Sequence, residues 1–418
     1  MNITHLAPND AGTAAGCPVD HSQFYSHRKT GQHLEPGAAP IQRNAKGVWQ
    51  ITDHALARKI LRGAGTQQAG FGAHLIIDRG TLMKLPVLYQ EGPAHLHQRK
   101  QTARFFTPTF TSTHYRALMD QVSDEMMATL HRKGQVDLHK LSMQMAVTVV
   151  AQVVGLTNSR LPGLSDRLDA FFAGDVLAPP NSPKGILRFV SNQFNVLRFL
   201  WVDVRPAIAA RRKAPQEDVI SHLIESGYND AEILTECITY AAAGMATTRE
   251  FICIAAWHFL EQPQLRQRYL AAGEEERIAL LQEILRLEPV VGALKRKATG
   301  RIDLTHAGET FTIQPGEAIE LDLVAINEDP PIVGEKGDQI CPGRPLHGDK
   351  ITPPVMAFGD GHHRCPGAYI AMQESDIFLR KLLAEPTLRL VQPPDLGYSE
   401  LVKGYEIREL VIGVDKRG

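Results

Sequence analysis

One long helix constrains the fold of this chain more than any other feature. Asn229-Asp230 can cap its start and Pro263 ends it, so it has about 30 residues. At 1.5 Å per residue it is about 45–50 Å long and must cross the whole body of a domain. Its middle, residues 241–248, reads AAAGMATT. We expect these small side chains to let a flat or bulky group lie against the backbone.

The remaining pattern is mainly helical, with a small β region. Apolar residues at spacings of three and four predict the helices, and short runs after Pro289 predict strands. The irregular segment 325–364 is rich in Pro, Gly and Asp, and a loop of that length usually serves function. The predicted helices are 54–62 with Asp53 as cap, 95–106, 112–131, 138–154, 187–212, 273–287 and 366–383, and the predicted strands are 47–52, 301–304, 309–313, 318–323 and others near the C-terminus.

Composition narrows the class of protein. The 418 residues are 43% hydrophobic and 22% charged, which suits a globular protein with a substantial core. With 45 basic and 46 acidic residues and no basic run, we expect no nucleic-acid partner. No apolar stretch could span a bilayer and no secretory signal is visible, so we expect a cytoplasmic protein with no membrane contact. We expect an irregular lead-in at 1–40 and a single domain at 41–418, mainly α with a small β subdomain.

The five cysteines are scattered along the chain, and no C-x-x-C pair occurs. We therefore expect neither a disulfide framework nor a structural zinc site, and any functional cysteine should act singly. The cysteines are Cys17, Cys237, Cys253, Cys341 and Cys365.

The sequence FGDGHHRCPG at residues 358–367 suggests a metal-bound cysteine. Cys365 precedes a predicted helix, and Pro366 suits the first position of that helix. The unpaired N–H groups of a first helical turn, together with the helix dipole, favour thiolate over thiol at Cys365. Gly361 and Gly367 allow tight turns and the close approach of a flat ring.

The spacing F-x-x-G-x-H-x-C-x-G in this window resembles the haem-binding loop of cytochrome P450 monooxygenases. Cys341 also precedes Pro and Gly, but it lacks the upstream Phe and Gly, so the resemblance selects Cys365. It implies a P450-like fold from about residue 40 to the end and haem b with the Cys365 thiolate as axial ligand, which favours O–O bond cleavage. It also implies haem contacts from Phe358, Gly361, His363 and Gly367.

Two further motifs fit the same family. Glu283 and Arg286 form an E-x-x-R pair at i, i+3 on a predicted helix, so their side chains share a face. The resemblance implies that both pair with an Arg of the irregular segment, for which Arg344 is the best candidate, in a structural role. It also implies that His95 and Arg99 bind haem propionates, together with Arg296 and His363, since buried carboxylates require cationic partners.

The long helix departs from the family at one position. The family carries an acid before the first Thr of this segment, where Gly244 and Thr247-Thr248 match but Ala246 replaces the acid. The resemblance assigns oxygen activation to Thr247 and Thr248 and haem contact to Gly244. An alcohol relays protons but is a poor source of them near neutral pH. Water chains or another acid must then supply protons, and Glu250, three residues after Thr247, is either that acid or an ion-pair residue.

The resemblance implies a monooxygenase that inserts one oxygen atom from O2 into a hydrophobic small molecule. The electrons would come from a ferredoxin or similar protein with an NAD(P)H-dependent reductase, because no flavin or nicotinamide motif is present. Two alternatives stay open: a peroxide-driven or otherwise atypical haem enzyme, which Ala246 favours, and a non-catalytic haem sensor or carrier. Expected substrate contacts are 71–88, 171–172, Ala242, Met245, 290–294 and 401–405, and expected partner contacts are Arg99, Lys100, Arg104 and Arg364.

Overall fold

The computed structural model describes residues 28–30, 39–73, 84–172, 183–400 and 402–415. Its helices carry most of the described residues, as the sequence predicts. The α-helices are α1 His54–Arg62, α2 Gly92–Thr102, α3 Pro108–Phe110, α4 Arg116–Lys133, α5 Leu138–Val154, α6 Leu164–Phe172, α7 Pro183–Phe199, α8 Arg205–Lys213, α9 Val219–Glu225, α10 Asp230–Glu261, α11 Pro263–Ala271, α12 Glu274–Leu287, α13 Leu323–Ile326, α14 Pro330–Val333 and α15 Ala368–Leu383.

Short strands, 3₁₀ turns and π turns complete the described elements. The strands are β1 Ile41–Arg43, β2 Trp49–Ile51, β3 Thr66–Gln68, β4 Gln135–Asp137, β5 Ala293–Ala298, β6 Ile302–His306, β7 Glu309–Ile313, β8 Ala318–Asp322, β9 Arg389–Gln392, β10 Asp395–Ser399, β11 Gly404–Arg408 and β12 Val411–Gly413. The 3₁₀ turns are Val87–Tyr89, Ala103–Phe106 and Gly361–His363, and the π turns are Thr111–Tyr115 and Leu200–Val204.

The chain divides into two compact units, each with a core of its own. The first unit comprises Met1–Gly70, Phe251–Cys365 and Leu379–Gly418, and the second comprises Phe71–Glu250 and Pro366–Phe378. The core of the first unit includes Ile51, Ile60 and Leu321, and that of the second includes Phe105, Val147 and Met245.

A five-stranded sheet organises the first unit, with strand order β1-β2-β8-β5-β3. Strands β2 and β8 are parallel, and the other neighbours are antiparallel. The sheet places Arg296 of β5 opposite Ile319 of β8 on one side and Gln68 of β3 on the other. Two hairpins, β6–β7 and β10–β11, also belong to this unit.

Local capping explains why several helices begin where the sequence predicts. The Asp53 side chain accepts from Leu56 N–H at 2.7 Å at the start of α1. The Asn229 side chain accepts from Ala231 and Glu232 N–H, at 3.0 Å each, at the start of α10. With 32 residues, α10 is about 48 Å long, and we call it the central helix.

One prediction about local structure needs correction, and one bond was not predicted. Pro366 is not the first residue of the last helix, because α15 begins at Ala368 and its first backbone bond runs from Ala371 N–H to Gly367 O, at 2.9 Å. Cys341 is buried and disulfide-bonded, a bond that the sequence analysis did not predict. Within the described residues, no helix combines the length and the apolar character that a bilayer crossing requires.

Candidate functional site

The loop that carries Cys365 closes on itself through backbone bonds. Cys365 N–H donates to Phe358 O at 2.9 Å, and Gly359 N–H donates to Met356 O at 2.8 Å. Gly359 and Gly361 have φ angles of +70° and +65°, which glycine adopts without the strain that a side chain brings. The cysteine side chain is exposed. The loop thus presents its sulfur outward on a backbone that glycine makes possible.

Helix α1 anchors this loop within the first unit. A Cβ at Gly361 would overlap the carbonyl oxygen of Leu61, so no larger residue fits against the end of α1. Asp360 accepts from Arg62 Nε and Nη2 at 2.9 and 3.0 Å, and from Gly361 N–H at 2.7 Å. Burial acts to raise the pKa of Asp360, but its bonds to Arg62 and Gly361 hold that pKa below its usual value.

Gly367, two residues after the cysteine in the chain, has open space around it. A Cβ at Gly367 would meet no atom within 4 Å. An exposed thiol on a glycine-rich loop fits a flat group bound through its metal. The donor set therefore fits the haem that the resemblance implies.

Glu283, Arg286 and Arg344 lie together in the first unit. Glu283 Oε1 accepts from Arg286 Nη2 at 2.8 Å and from Arg344 Nε at 3.0 Å, while Oε2 accepts from Arg286 Nε at 2.9 Å. The same Oε1 accepts from Cys341 N–H at 3.0 Å. The exposed fractions are 6% for Glu283, 1% for Arg286 and 7% for Arg344, so the network is buried.

The two guanidinium groups also bind the irregular segment that precedes the cysteine loop. Arg286 donates to the carbonyl oxygens of Asn327 and Gln339 at 2.9 and 3.0 Å. Arg344 donates to Val333 O at 2.9 Å and Gln339 O at 2.7 Å. Burial acts to raise the pKa of Glu283, but the two cations hold it below the usual value. A buried carboxylate thus fixes a segment that has little regular structure.

The candidate propionate ligands occur in both units. Arg296 is 4% exposed on β5, and it donates from Nε to Thr66 Oγ1 and from Nη2 to Thr66 O, each at 3.1 Å. His363 is half-buried in the turn Gly361–His363. In the second unit, His95 is 2% exposed and Arg99 is half-buried, one turn apart on α2. Their binding to haem stays a prediction.

The threonines of the central helix have different partners. Thr247 Oγ1 donates to Ala243 O at 2.6 Å, the bond to the preceding turn that helix hydroxyls commonly make. Thr248 is buried and hydrogen-bonds to Glu374 of α15. A Cβ at Gly244 would come within 2.5 Å of Val150 Cγ2, so Gly244 permits close packing of the central helix on α5.

The structure adds an acid that the sequence argument missed. Glu374 is 1% exposed, and among the described residues no group donates to its buried Oε2. Burial raises the pKa of Glu374 well above its usual value, although the bond from Thr248 opposes this. The sequence signal is the polar run 373–376, which lies between two apolar stretches of the helix. Glu250, the acid that the sequence did suggest, instead accepts from Arg249 Nη2 at 2.9 Å.

The expected substrate and partner contacts are only partly described. Residues 74–83 and 401 and the side chains of 171–172 lie outside the described residues. Ala242 is half-buried, Met245 is fully buried, and Val290 is buried. Lys100 and Arg104 of the second unit and Arg364 of the first are exposed.

Known proteins share both the sequence pattern and the fold. A family model described as Cytochrome P450 matches residues 278–396. Cytochrome P450-SOY of Streptomyces griseus is 25% identical over 93% of this chain and 92% of its own length. Cytochrome P450 109 of Bacillus spizizenii is 26% identical over 71% of each chain. The crystal structure of CalO2 aligns with a TM-score of 0.75 at 21% identity, over 91% of this chain and 94% of CalO2. The predicted mainly α, P450-like fold is confirmed.

Proposed function

We propose that this chain binds haem b through the Cys365 thiolate, as a monooxygenase of the bacterial cytochrome P450 type. We propose further that it inserts one oxygen atom from O2 into a hydrophobic small molecule. The observation that carries the proposal is the exposed cysteine on a loop closed by the 2.9 Å bond from Cys365 N–H to Phe358 O.

The remaining haem contacts would divide between charged and small residues. His95, Arg99, Arg296 and His363 would bind the propionates, because a buried carboxylate needs charged or hydrogen-bonding partners. The buried position of Arg296 supports this assignment, since a guanidinium held by Thr66 is already oriented. Phe358, Gly361, Gly367 and Gly244 would lie near the ring. A thiolate-bound haem supplies O–O bond cleavage when bound.

The chain's own contribution to oxygen activation is proton supply. Thr247 and Thr248 provide hydroxyl groups on the central helix, and Ala246 offers no proton. The 2.6 Å bond from Thr247 to Ala243 O shows that this hydroxyl has an acceptor within its own helix. To donate elsewhere, Thr247 must rotate out of that bond.

We assign electron supply to a separate ferredoxin-like protein with an NAD(P)H-dependent reductase. The exposed basic residues Lys100 and Arg104 suit an acidic partner of this kind. A second candidate function, peroxide-driven oxygenation, is favoured by Ala246, because peroxide brings its own protons and electrons. Turnover with peroxide alone, compared with turnover with ferredoxin, reductase and NAD(P)H, separates the two.

The test of haem ligation is the Cys365→Ser variant, read by the absorbance of the reduced carbon monoxide complex. We expect the wild-type protein to show the band typical of thiolate-bound haem, and the variant to lose it. Cys237→Ala is the matched control, because Cys237 is buried in the second unit's core and should keep the band. Persistence of the thiolate band in Cys365→Ser would overturn the proposal, as would a wild-type protein that takes up no haem.

A further inference from the structure

Glu236 of the central helix joins three parts of the second unit. Its Oε1 accepts from Val87 N–H at 2.9 Å and from Gln98 Nε2 at 2.8 Å. Gln98 in turn accepts from the Tyr228 hydroxyl at 3.0 Å. One carboxyl group therefore ties the 3₁₀ turn Val87–Tyr89 and helix α2 to the central helix.

The second oxygen of this carboxyl group, Oε2, accepts no hydrogen bond from the described residues. Glu236 is 1% exposed, and its Oε2 is buried with no hydrogen-bond donor among the described residues. A buried carboxylate oxygen without a donor is costly, whereas a protonated carboxyl group removes the charge. The geometry thus suits the neutral form of Glu236 better than the charged form.

Among the described residues, the groups that shift the pKa of Glu236 include no cation. Cys237, Tyr228 and Tyr240 are acids in their own right, and the charge of Glu236 raises the pKa of each. The charge of Arg99 acts to lower the pKa of Tyr240, and Lys84 Nζ lies 4.0 Å from the centre of the Tyr228 ring. Burial raises the pKa of Glu236 itself to about 7, against smaller opposing effects of Gln98 and Val87.

Glu232, one helical turn earlier, makes a comparable contact in a different environment. Its Oε1 accepts from Lys84 N–H at 3.0 Å, and its Oε2 accepts from Asn229 N–H at 2.9 Å. Both oxygens thus have donors. Burial acts to raise the pKa of Glu232, but these bonds and the charge of Lys84 hold it below the usual value. The chain therefore offers a matched control that binds the same segment and stays ionised.

We infer that Glu236 is a proton-dependent latch that holds residues 84–90 and helix α2 against the central helix. The latch is closed when Glu236 is protonated and loosens when it ionises. Helix α2 carries His95 and Arg99, so the latch would also set the position of two proposed propionate ligands; this consequence rests on the proposed function. In that role Glu236 is a positioning residue, since it acts through Gln98 and Val87.

The direction of the pH effect follows from the two protonation equilibria. When the latch opens, Glu236 meets water and returns to its usual pKa of 4.5, whereas closure raises that pKa to about 7. The stabilisation of the closed form by this proton is complete below pH 4.5. It decreases as the pH rises and is lost once the pH exceeds the closed form's pKa of about 7. Opening should therefore increase by up to about tenfold per pH unit between pH 5 and 7, then level off.

Hydrogen exchange of the purified full-length protein, measured between pH 5 and 8, tests this dependence. Peptides covering residues 84–102 are compared with peptides of α12, which correct for the intrinsic rise of exchange with pH. We expect the corrected opening of 84–102 to rise with pH in the wild-type protein. In Glu236→Gln, whose neutral amide keeps an acceptor for Val87, we expect it to be flat. Glu232→Gln should shift the baseline and keep the rise.

Three outcomes would overturn the latch: a flat wild-type profile, a rise that persists in Glu236→Gln, or a rise that vanishes in Glu232→Gln alone. If Glu236→Gln does not fold, the wild-type infrared band of a protonated buried carboxyl group provides the second measurement. It should titrate with a midpoint near pH 7, and its absence at pH 5.5 would overturn the proposal. Neither readout requires the thiolate band, so a failed haem assignment and a failed latch give different results.

Discussion

Glu283 and Glu236 are buried glutamates whose surroundings shift their pKa values in opposite directions. Glu283 lies between two guanidinium groups, and their charge holds its pKa below the usual value although burial opposes them. Glu236 has two neutral donors on one oxygen, and burial raises its pKa to about 7. Burial is nearly the same in both cases. The charge of the partners decides whether a buried carboxyl group is a permanent anion or a group that titrates.

The two residues also hold different kinds of structure. The arginines that pair with Glu283 bind carbonyl groups of residues 327–339, a segment whose regular structure is the four-residue helix α14. A permanent anion suits that task because the segment must stay fixed at any physiological pH. Glu236 holds a turn and a helix that are already formed, so a contact that weakens with pH can loosen them without unfolding them.

Removing the charge of Glu283 should give the largest effect. Glu283→Gln leaves Arg286 and Arg344 buried without their carboxylate, and breaking a buried ion pair in this way costs about 3–5 kcal/mol. Urea denaturation at pH 6 should show this loss in the free energy of unfolding. Glu236→Gln at the same pH should cost far less, because Glu236 then largely holds a proton. Equal losses in the two variants would mean that the partners' charges do not distinguish the sites.

The sequence predicts one of these sites and misses the other for a physical reason. Glu283 and Arg286 are one helical turn apart, and a resemblance locates Arg344, so a local pattern suffices. The environment of Glu236 is assembled from Val87 and Gln98, about 140–150 positions away in the chain. No local pattern predicts such a contact, since a lone Glu in an amphipathic helix is predicted to be a surface residue.

The same contrast holds for the fold. Helices α1 and α5 match their predicted bounds because caps and apolar spacing are local signals. Strand β5 was missed because Lys295, Arg296 and Lys297 do not alternate with apolar residues, and its place depends on bonds to β3 and β8. The loop of Cys365 was found because its motif is contiguous, whereas Glu374 depends on a remote contact with Thr248.

Glu374 extends the comparison to an acid whose one hydrogen-bonding partner among the described residues is Thr248. Burial raises the pKa of Glu374 well above its usual value, which favours the neutral form of this carboxyl group. Glu374→Gln then removes no charge and keeps an acceptor for Thr248, and its cost should be about 1 kcal/mol or less. Urea denaturation of this variant beside Glu283→Gln measures the difference. A loss of several kcal/mol at pH 7 would show that Glu374 is ionised.

The exposed pair of Arg62 and Asp360 should give the smallest effect, although its geometry is as good as that of Glu283. The Arg62 side chain is 48% exposed, so water screens its charge and a measured contribution of about 0.5 kcal/mol is expected. In Arg62→Ala, Asp360 keeps its bond to Gly361 N–H and lies 3.4 Å from Arg58, so the cysteine loop should stay closed. Urea denaturation, with the thiolate band as a check on the loop, tests this. A loss as large as that of Glu283→Gln would show that solvent exposure does not decide how much each ion pair contributes to stability.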